Sequence, residues 1–130
     1  MSDAIPSNLR YSKEHEWARL EDDGTITIGI TAHAVEQLGD ITMVTLPETD
    51  TAFDAGDSFG DIDSVKAVSE LFAPLTGTVR ETNSELEASP ELVNEDPYGK
   101  GWMLKVAASD AGQLEGLMDA AAYENFLAEA

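Results

Sequence analysis

The chain has 130 residues, of which 26 are Asp or Glu and 7 are Lys or Arg, for a formal net charge of −19. So acidic a surface repels a phosphate backbone and sets nucleic acid aside as a partner. No apolar run approaches the ~18 residues a membrane span needs, and with no cysteine there is no disulfide, zinc–thiolate site or thiol nucleophile. An apolar fraction of 42% over this length fits one domain across residues 1–130 with one continuous core. The opening residues, Met1 to Asn8, have neither a basic nor an apolar region, so no signal peptide is expected. The lack of cysteine fits a reducing cytoplasm. Acidic residues are interleaved with apolar ones from Asp3 to Glu129 rather than collected in a tail, which reads as a folded domain with an acidic skin. That skin suits a high-salt cytoplasm, where screening relieves the repulsion between like charges.

In chain order, Glu16–Leu20 reads as a strand and Glu21–Gly24 as a turn. Gly24–Ile30 is a second strand whose isoleucines alternate with small or polar residues. Thr31 is placed to cap a short helix carrying Ala32, Val35 and Leu38, which Gly39 closes. Ile41–Leu46 alternates again and stops at Pro47. From Phe53 to Val79 short strands are separated by glycines and a proline. Leu86–Gly101 reads as a loop, and Trp102–Val106 as the last strand. Residues 110 to 129 are helical, with Leu114, Leu117, Ala120, Tyr123 and Leu127 at spacings of three and four. The expected architecture is an all-β core with short helices, including a helical C-terminus.

Four lysines occur: Lys13, Lys66, Lys100 and Lys105. Lys66 differs from the others in its surroundings, which are almost balanced about it. Reading outward, a strand and then Gly56-Asp57 lie upstream, another strand and Pro74-x-x-Gly77 downstream. A β-hairpin over about residues 56–79 with Lys66 at or near its tip would present that side chain clear of the body on a rigid base, as a carrier requires. Val65, Ala67 and Val68 beside it offer no ion pair. The plain alternative is a solvated lysine at a strand end.

The segment Asp63-Ser64-Val65-Lys66-Ala67, followed by Pro74 and Gly77, resembles the lipoyl-attachment hairpin of the glycine cleavage H-protein family. Further matches run in order along the chain: Tyr11-Ser-Lys-Glu-His-Glu-Trp17, Gly29-Ile30-Thr31, Leu38-Gly39-Asp40-Ile41, Leu46-Pro47, and Asn94-Glu-Asp-Pro-Tyr-Gly-Lys-Gly-Trp102. The resemblance implies a flattened hybrid barrel-sandwich of the lipoyl/biotinyl-carrier type and a carrier rather than an enzyme. It implies lipoate joined by an amide to Lys66, attached by a lipoyl ligase or octanoyltransferase. It further implies that the aminomethyl group of glycine passes from glycine decarboxylase (P protein) to aminomethyltransferase (T protein), and that dihydrolipoamide dehydrogenase (L protein) reoxidises the dithiol. For Glu16 it implies a carboxylate that hydrogen-bonds the ammonium of the loaded arm, with Glu14 and Glu70 in neighbouring contact positions. Asp63 stands where the family usually has Glu, and Glu70 where Asp is common.

Other readings compete. An H-like protein that relays lipoate to other complexes would share the same hairpin. A biotinyl carrier would place methionines on both sides of the lysine, where Val65 and Ala67 stand. A purely acidic interaction module or DNA mimic would explain the charge but not the hairpin. Glu16, taken alone, is one more surface acid on a strand. His15 and His33 lack a ligand-spaced partner, so no metal site is expected. Gly56–Gly60 is no phosphate loop, since no Gly-Lys-Ser/Thr follows. Ser64 and Ser69 have no histidine placed as a base. Trp17 and Trp102 read as packing residues.

Overall fold

The computed structural model describes residues 9–108 and 112–129. Among these residues nine strands fall into two antiparallel sheets. The larger has the order β1 (Arg10–Tyr11), β2 (Glu16–Leu20), β3 (Ile26–Ile30), β9 (Leu104–Ala108), β8 (Gly77–Thr82), β5 (Ala52–Phe53). The smaller has the order β4 (Ile41–Thr45), β6 (Ser58–Ser64), β7 (Val68–Phe72). Ile26, Ile28, Val79, Leu104 and Val106 of the first sheet and Val44, Ile62 and Leu71 of the second form one buried cluster, so the sheets share a single core. This is the all-β architecture expected, built as two facing sheets rather than a closed barrel.

The alternation in β3 does more than bury one face, since all five of its residues are buried. Ile26, Ile28 and Ile30 enter the shared core, while Gly29 lies under the indole of Trp17. A Cβ at Gly29 would stand 2.7 Å from that ring, so only glycine lets β2 and the indole close over β3. Trp17 is fully buried and its indole N–H donates to Pro97 O at 3.0 Å, whereas Trp102 is only half-buried.

Helix α1 (Ala32–Leu38) starts where expected, with Thr31 Oγ1 accepting from Ala34 N–H at 3.3 Å, and ends at Gly39 with φ 78°. Residues 86–101 are not the loop their prolines and glycines suggest. They hold α2 (Glu85–Ala88) and α3 (Glu91–Glu95), each anchored by one fully buried residue, Leu86 and Val93. Pro90 opens α3 rather than breaking a helix, because the N–H it lacks would be unpaired at that position anyway. The last strand begins at Leu104 rather than Trp102, whose carbonyl is taken by the Asn83 side chain at 2.8 Å. The C-terminal helical stretch is interrupted: α4 (Gly112–Glu115) and α5 (Ala120–Glu129) flank a segment in which Met118 pairs with Tyr11 through two backbone hydrogen bonds of 2.8 and 2.9 Å. Asp119 then starts α5, accepting from Ala122 N–H at 2.8 Å. The helix start expected at Asp110, and the opening residues 1–8, lie outside the described residues.

Candidate functional site

Strands β6 and β7 form a hairpin whose turn is Ser64-Val65-Lys66-Ala67. Ser64 N–H donates to Ala67 O at 2.8 Å. The Ser64 hydroxyl accepts from the N–H groups of Lys66 (3.2 Å) and Ala67 (3.1 Å), so one short side chain locks the turn. The tip is braced from the side, where Val65 N–H donates to Asp40 O at 3.1 Å. Gly39, beside Asp40, has a backbone conformation (φ 78°, ψ −148°) open essentially to glycine, and the Lys66 stem passes over it, with Cε 3.2 Å from where a Cβ would be. Asn94 of α3 fixes the same loop by donating to Gly39 O at 2.8 Å and accepting from Ile41 N–H at 2.9 Å. Lys66 is exposed, forms no ion pair among the described residues, and is flanked by Val65 and Val68, which are 67% and 69% exposed.

Beyond the other end of β7 lies an open cavity of about 480 Å³. The turn Tyr11–Glu14 and Glu16 form one wall, Phe72-Ala73-Pro74 with Ala55-Gly56 another, and Gly116-Leu117-Met118 a third. Glu16 is not the surface acid its sequence setting suggests, being only 2% exposed. Its Oε2 accepts from Phe72 N–H at 2.9 Å and its Oε1 from the Ser12 hydroxyl at 3.1 Å, while its own N–H donates to Ser12 Oγ at 3.1 Å. Burial pushes this carboxyl up to about 8, against the downward pull of the Phe72 and Ser12 hydrogen bonds and with a smaller upward push from Glu14. At that value the protonated form is favoured at neutral pH, and a nearby positive charge would favour the carboxylate.

Glu14 lines the same cavity and is exposed. Glu70 does not line it. This residue sits exposed on the outer face of β7 with Phe72, two residues nearer the tip, while Leu71 between them points into the core. The three acids are thus not one cluster: Glu16 and Glu14 share the cavity, and Glu70 lies on the strand between it and Lys66.

The histidines, 18 positions apart in sequence, meet with ring centroids 4.6 Å apart. His15 adopts φ 66°, and its Nδ1 lies 2.8 Å from the Tyr123 hydroxyl. Burial first, then His33, lowers the His15 pKa. Among the described residues no three His, Asp or Glu are grouped to hold a metal ion, and no helix is long and apolar enough to cross a membrane. Nothing in the local sequence marks Tyr123 as more than a helical core position, yet its ring stacks on Tyr11 of the cavity wall and its hydroxyl meets His15 and Thr31.

Comparison with known proteins places this geometry. The family model described as glycine cleavage H-protein matches residues 9–130. The glycine cleavage system H protein of Staphylococcus saprophyticus is 56% identical over 126 residues, covering 97% of this chain and 99% of that one. The one from Marinobacter nauticus is 52% identical over 124 residues, covering 95% of each. A crystal structure of a glycine cleavage system H protein from Mycobacterium marinum superposes with a TM-score of 0.88 at 36% identity, covering 95% of this chain and 99% of that chain. The chain belongs to the glycine cleavage H-protein family, whose members are lipoyl carriers of the glycine cleavage system and not themselves enzymes.

Proposed function

We propose that Lys66 is the residue that carries lipoate, and that Glu16 receives the cationic end of the cargo in the cavity beyond β7. The observation that carries this reading is the pairing of an exposed lysine on a locked hairpin tip with a buried, cavity-lining carboxyl at the far end of the same strand. Lipoate joined to Lys66 would supply the disulfide chemistry by which an aminomethyl group is taken up and handed on. The chain's residues do the rest. Ser64, Asp40 and Gly39 hold the tip so that Lys66 Nζ is presented to a lipoyl ligase or octanoyltransferase. An arm anchored there would run toward the cavity along the outer face of β7, past Glu70. An ammonium group entering the cavity lowers the cost of ionising Glu16, which then accepts a charge-assisted hydrogen bond of about 1.5–3 kcal/mol. Phe72 N–H and the Ser12 hydroxyl keep that carboxylate aimed, and Leu117, Met118 and Pro74 give the cavity before it apolar walls.

The partners in this reading are glycine decarboxylase, aminomethyltransferase and dihydrolipoamide dehydrogenase, each of which can reach an arm that leaves the tip. The same tip would serve an H-like lipoyl relay, but the cavity with its buried carboxyl favours a carrier of a cationic cargo. The setting we infer is a high-salt cytoplasm, supported by the net charge of −19. The test is the decay rate of the loaded form, wild type against Glu16→Gln, at fixed pH and salt. The variant should lipoylate and redox-cycle normally and lose its cargo several-fold faster; equal rates overturn the role of Glu16.

A further inference from the structure

The turn that aims Glu16 into the cavity is held from behind by the C-terminal helix. His15, the residue before Glu16, occupies the left-handed region with φ 66°, uncommon for any residue but glycine. Within the turn, His15 N–H donates to Ser12 O at 3.1 Å. Its ring is fixed from α5, where the Tyr123 hydroxyl lies 2.8 Å from His15 Nδ1 and also 2.8 Å from Thr31 Oγ1. The Tyr123 ring lies flat on Tyr11, centroids 4.6 Å apart and planes within 8°, and Tyr11 is itself part of the cavity wall. One fully buried phenol thus joins the strained residue beside Glu16, the cap of α1 and the cavity wall. Phenylalanine would fill the same space without taking a hydroxyl out of water, so packing alone does not call for tyrosine at this position.

We propose that Tyr123 is a positioning residue: its hydroxyl holds His15 in the left-handed turn and so sets the Glu16 carboxyl against the cavity. The positioning stands on these contacts alone; its value for retaining a cargo rests on the function proposed above. When the hydroxyl is removed the turn relaxes, water reaches the Glu16 carboxyl, and its burial is lost while the body of the fold stays.

The decisive measurement is the titration of the Glu16 carboxyl by carbon-13 NMR in the full, unlipoylated chain. Tyr123→Phe keeps the ring on Tyr11 and removes the hydroxyl, and the midpoint should fall by about one unit or more toward the ordinary carboxylate range. Adding His15→Gly, which adopts the turn's backbone unaided, should restore part of the shift. Leu127→Ala, which loosens α5 in the aromatic cluster away from the hydroxyl, should lower Tm without moving the midpoint. An unchanged midpoint in Tyr123→Phe, or an equal fall in Leu127→Ala, overturns the proposal. If Tyr123→Phe does not fold, His15→Ala removes the other end of the same contact and is read against the same two outcomes. Decay of the loaded form separates the two ideas. A fast Glu16→Gln with a wild-type-like Tyr123→Phe in both decay and titration leaves the cargo role standing and removes the strut. Equal decay of Glu16→Gln and wild type removes the cargo role, and the titration alone then decides the strut.

Discussion

The two ends of the β6–β7 hairpin solve opposite problems. At the tip, the Ser64 hydroxyl and the carbonyls of Ala67 and Asp40 accept main-chain N–H groups and fix the turn while Val65, Lys66 and Val68 stay exposed, so rigidity comes from local hydrogen bonds and those three side chains remain available. At the far end, Glu16 is buried, both its oxygens are hydrogen-bonded, and the turn before it is strained and wrapped by Tyr11, Trp17 and Tyr123. In the function proposed above the tip is an attachment point, which has to be open to enzymes and can be made of local turn chemistry. The far end is a cargo pocket, whose buried carboxyl can be made only by bringing distant segments together.

The sharpest way to break this contrast is at the lysine. Lys66→Arg should leave the fold and Tm as they are and abolish lipoylation and glycine decarboxylation–exchange, since arginine keeps the charge but offers no primary amine for an amide. Peptide mapping that finds lipoate on Lys13, Lys100 or Lys105 would falsify the assignment. Modification of Lys66 removes one positive charge and takes the formal net charge from −19 to −20, visible as one step on a native gel.

Salt acts on the whole surface. With 26 acids against 7 basic residues, like charges ~10 Å apart repel by roughly 0.4 kcal/mol in water, and shrinking the Debye length from about 8 Å to about 3 Å removes most of it. Tm should climb steeply from dilute buffer to molar KCl; a flat dependence counts against a high-salt setting.

Packing separates the two ends next. Gly29→Ala puts a Cβ 2.7 Å from the Trp17 indole, which should cost ~1–3 kcal/mol and red-shift the Trp17 emission as the ring is displaced. Val68→Ala at the exposed tip should change stability by less than about 0.5 kcal/mol. Comparable losses from the two would erase the distinction between a tip built from its own turn and a packed far end.

Titration of Glu16 gives a smaller, signed effect. Its native pKa, about 8, lies above the ordinary value of 4.5. Below that ordinary value the group is protonated in both states, and its stabilising contribution is complete. As pH rises from about 4.5 toward 8 the unfolded chain releases a proton the native chain keeps, and that contribution is lost. Glu16→Gln cannot titrate, so its Tm relative to wild type should rise between pH 5 and pH 9. A difference independent of pH would mean the carboxyl is not desolvated. Because the group is buried, molar salt should leave this difference in place.

The exposed acids close the series. Glu70→Gln and Glu14→Gln should each change the lifetime of the loaded form by about twofold or less, since exposed ion contacts are worth little. A Glu70→Gln effect as large as that of Glu16→Gln would move the cargo's resting place from the cavity onto the outer face of β7.

Much of this molecule was legible residue by residue where the signal is local. Glu16–Leu20 as a strand, Thr31 as a cap, Gly39 as a stop and Lys66 on a hairpin all follow from side-chain period, hydrogen-bonding habit and glycine's conformational freedom within a few residues. The helices α2 and α3 were missed because four or five residues are too few to show a helical period, and the single buried side chain that anchors each is recognised only in place. The break between α4 and α5 was invisible for a similar reason: Met118 leaves the helix to pair with Tyr11, more than a hundred residues earlier.

The sequence by itself determined which side chain is presented and on what turn, because a hairpin tip is built from its own neighbours. Only the tertiary structure decided the character of Glu16. Its burial comes from Phe72, Ser12 and a wall supplied by residues 116–118, and the turn that aims it is braced by Tyr123. A carboxyl's pKa depends on how much water surrounds it, and that is set by segments far apart in the chain, so the side-chain chemistry of the His15-Glu16-Trp17 neighbourhood does not by itself mark this acid, among 26, as buried.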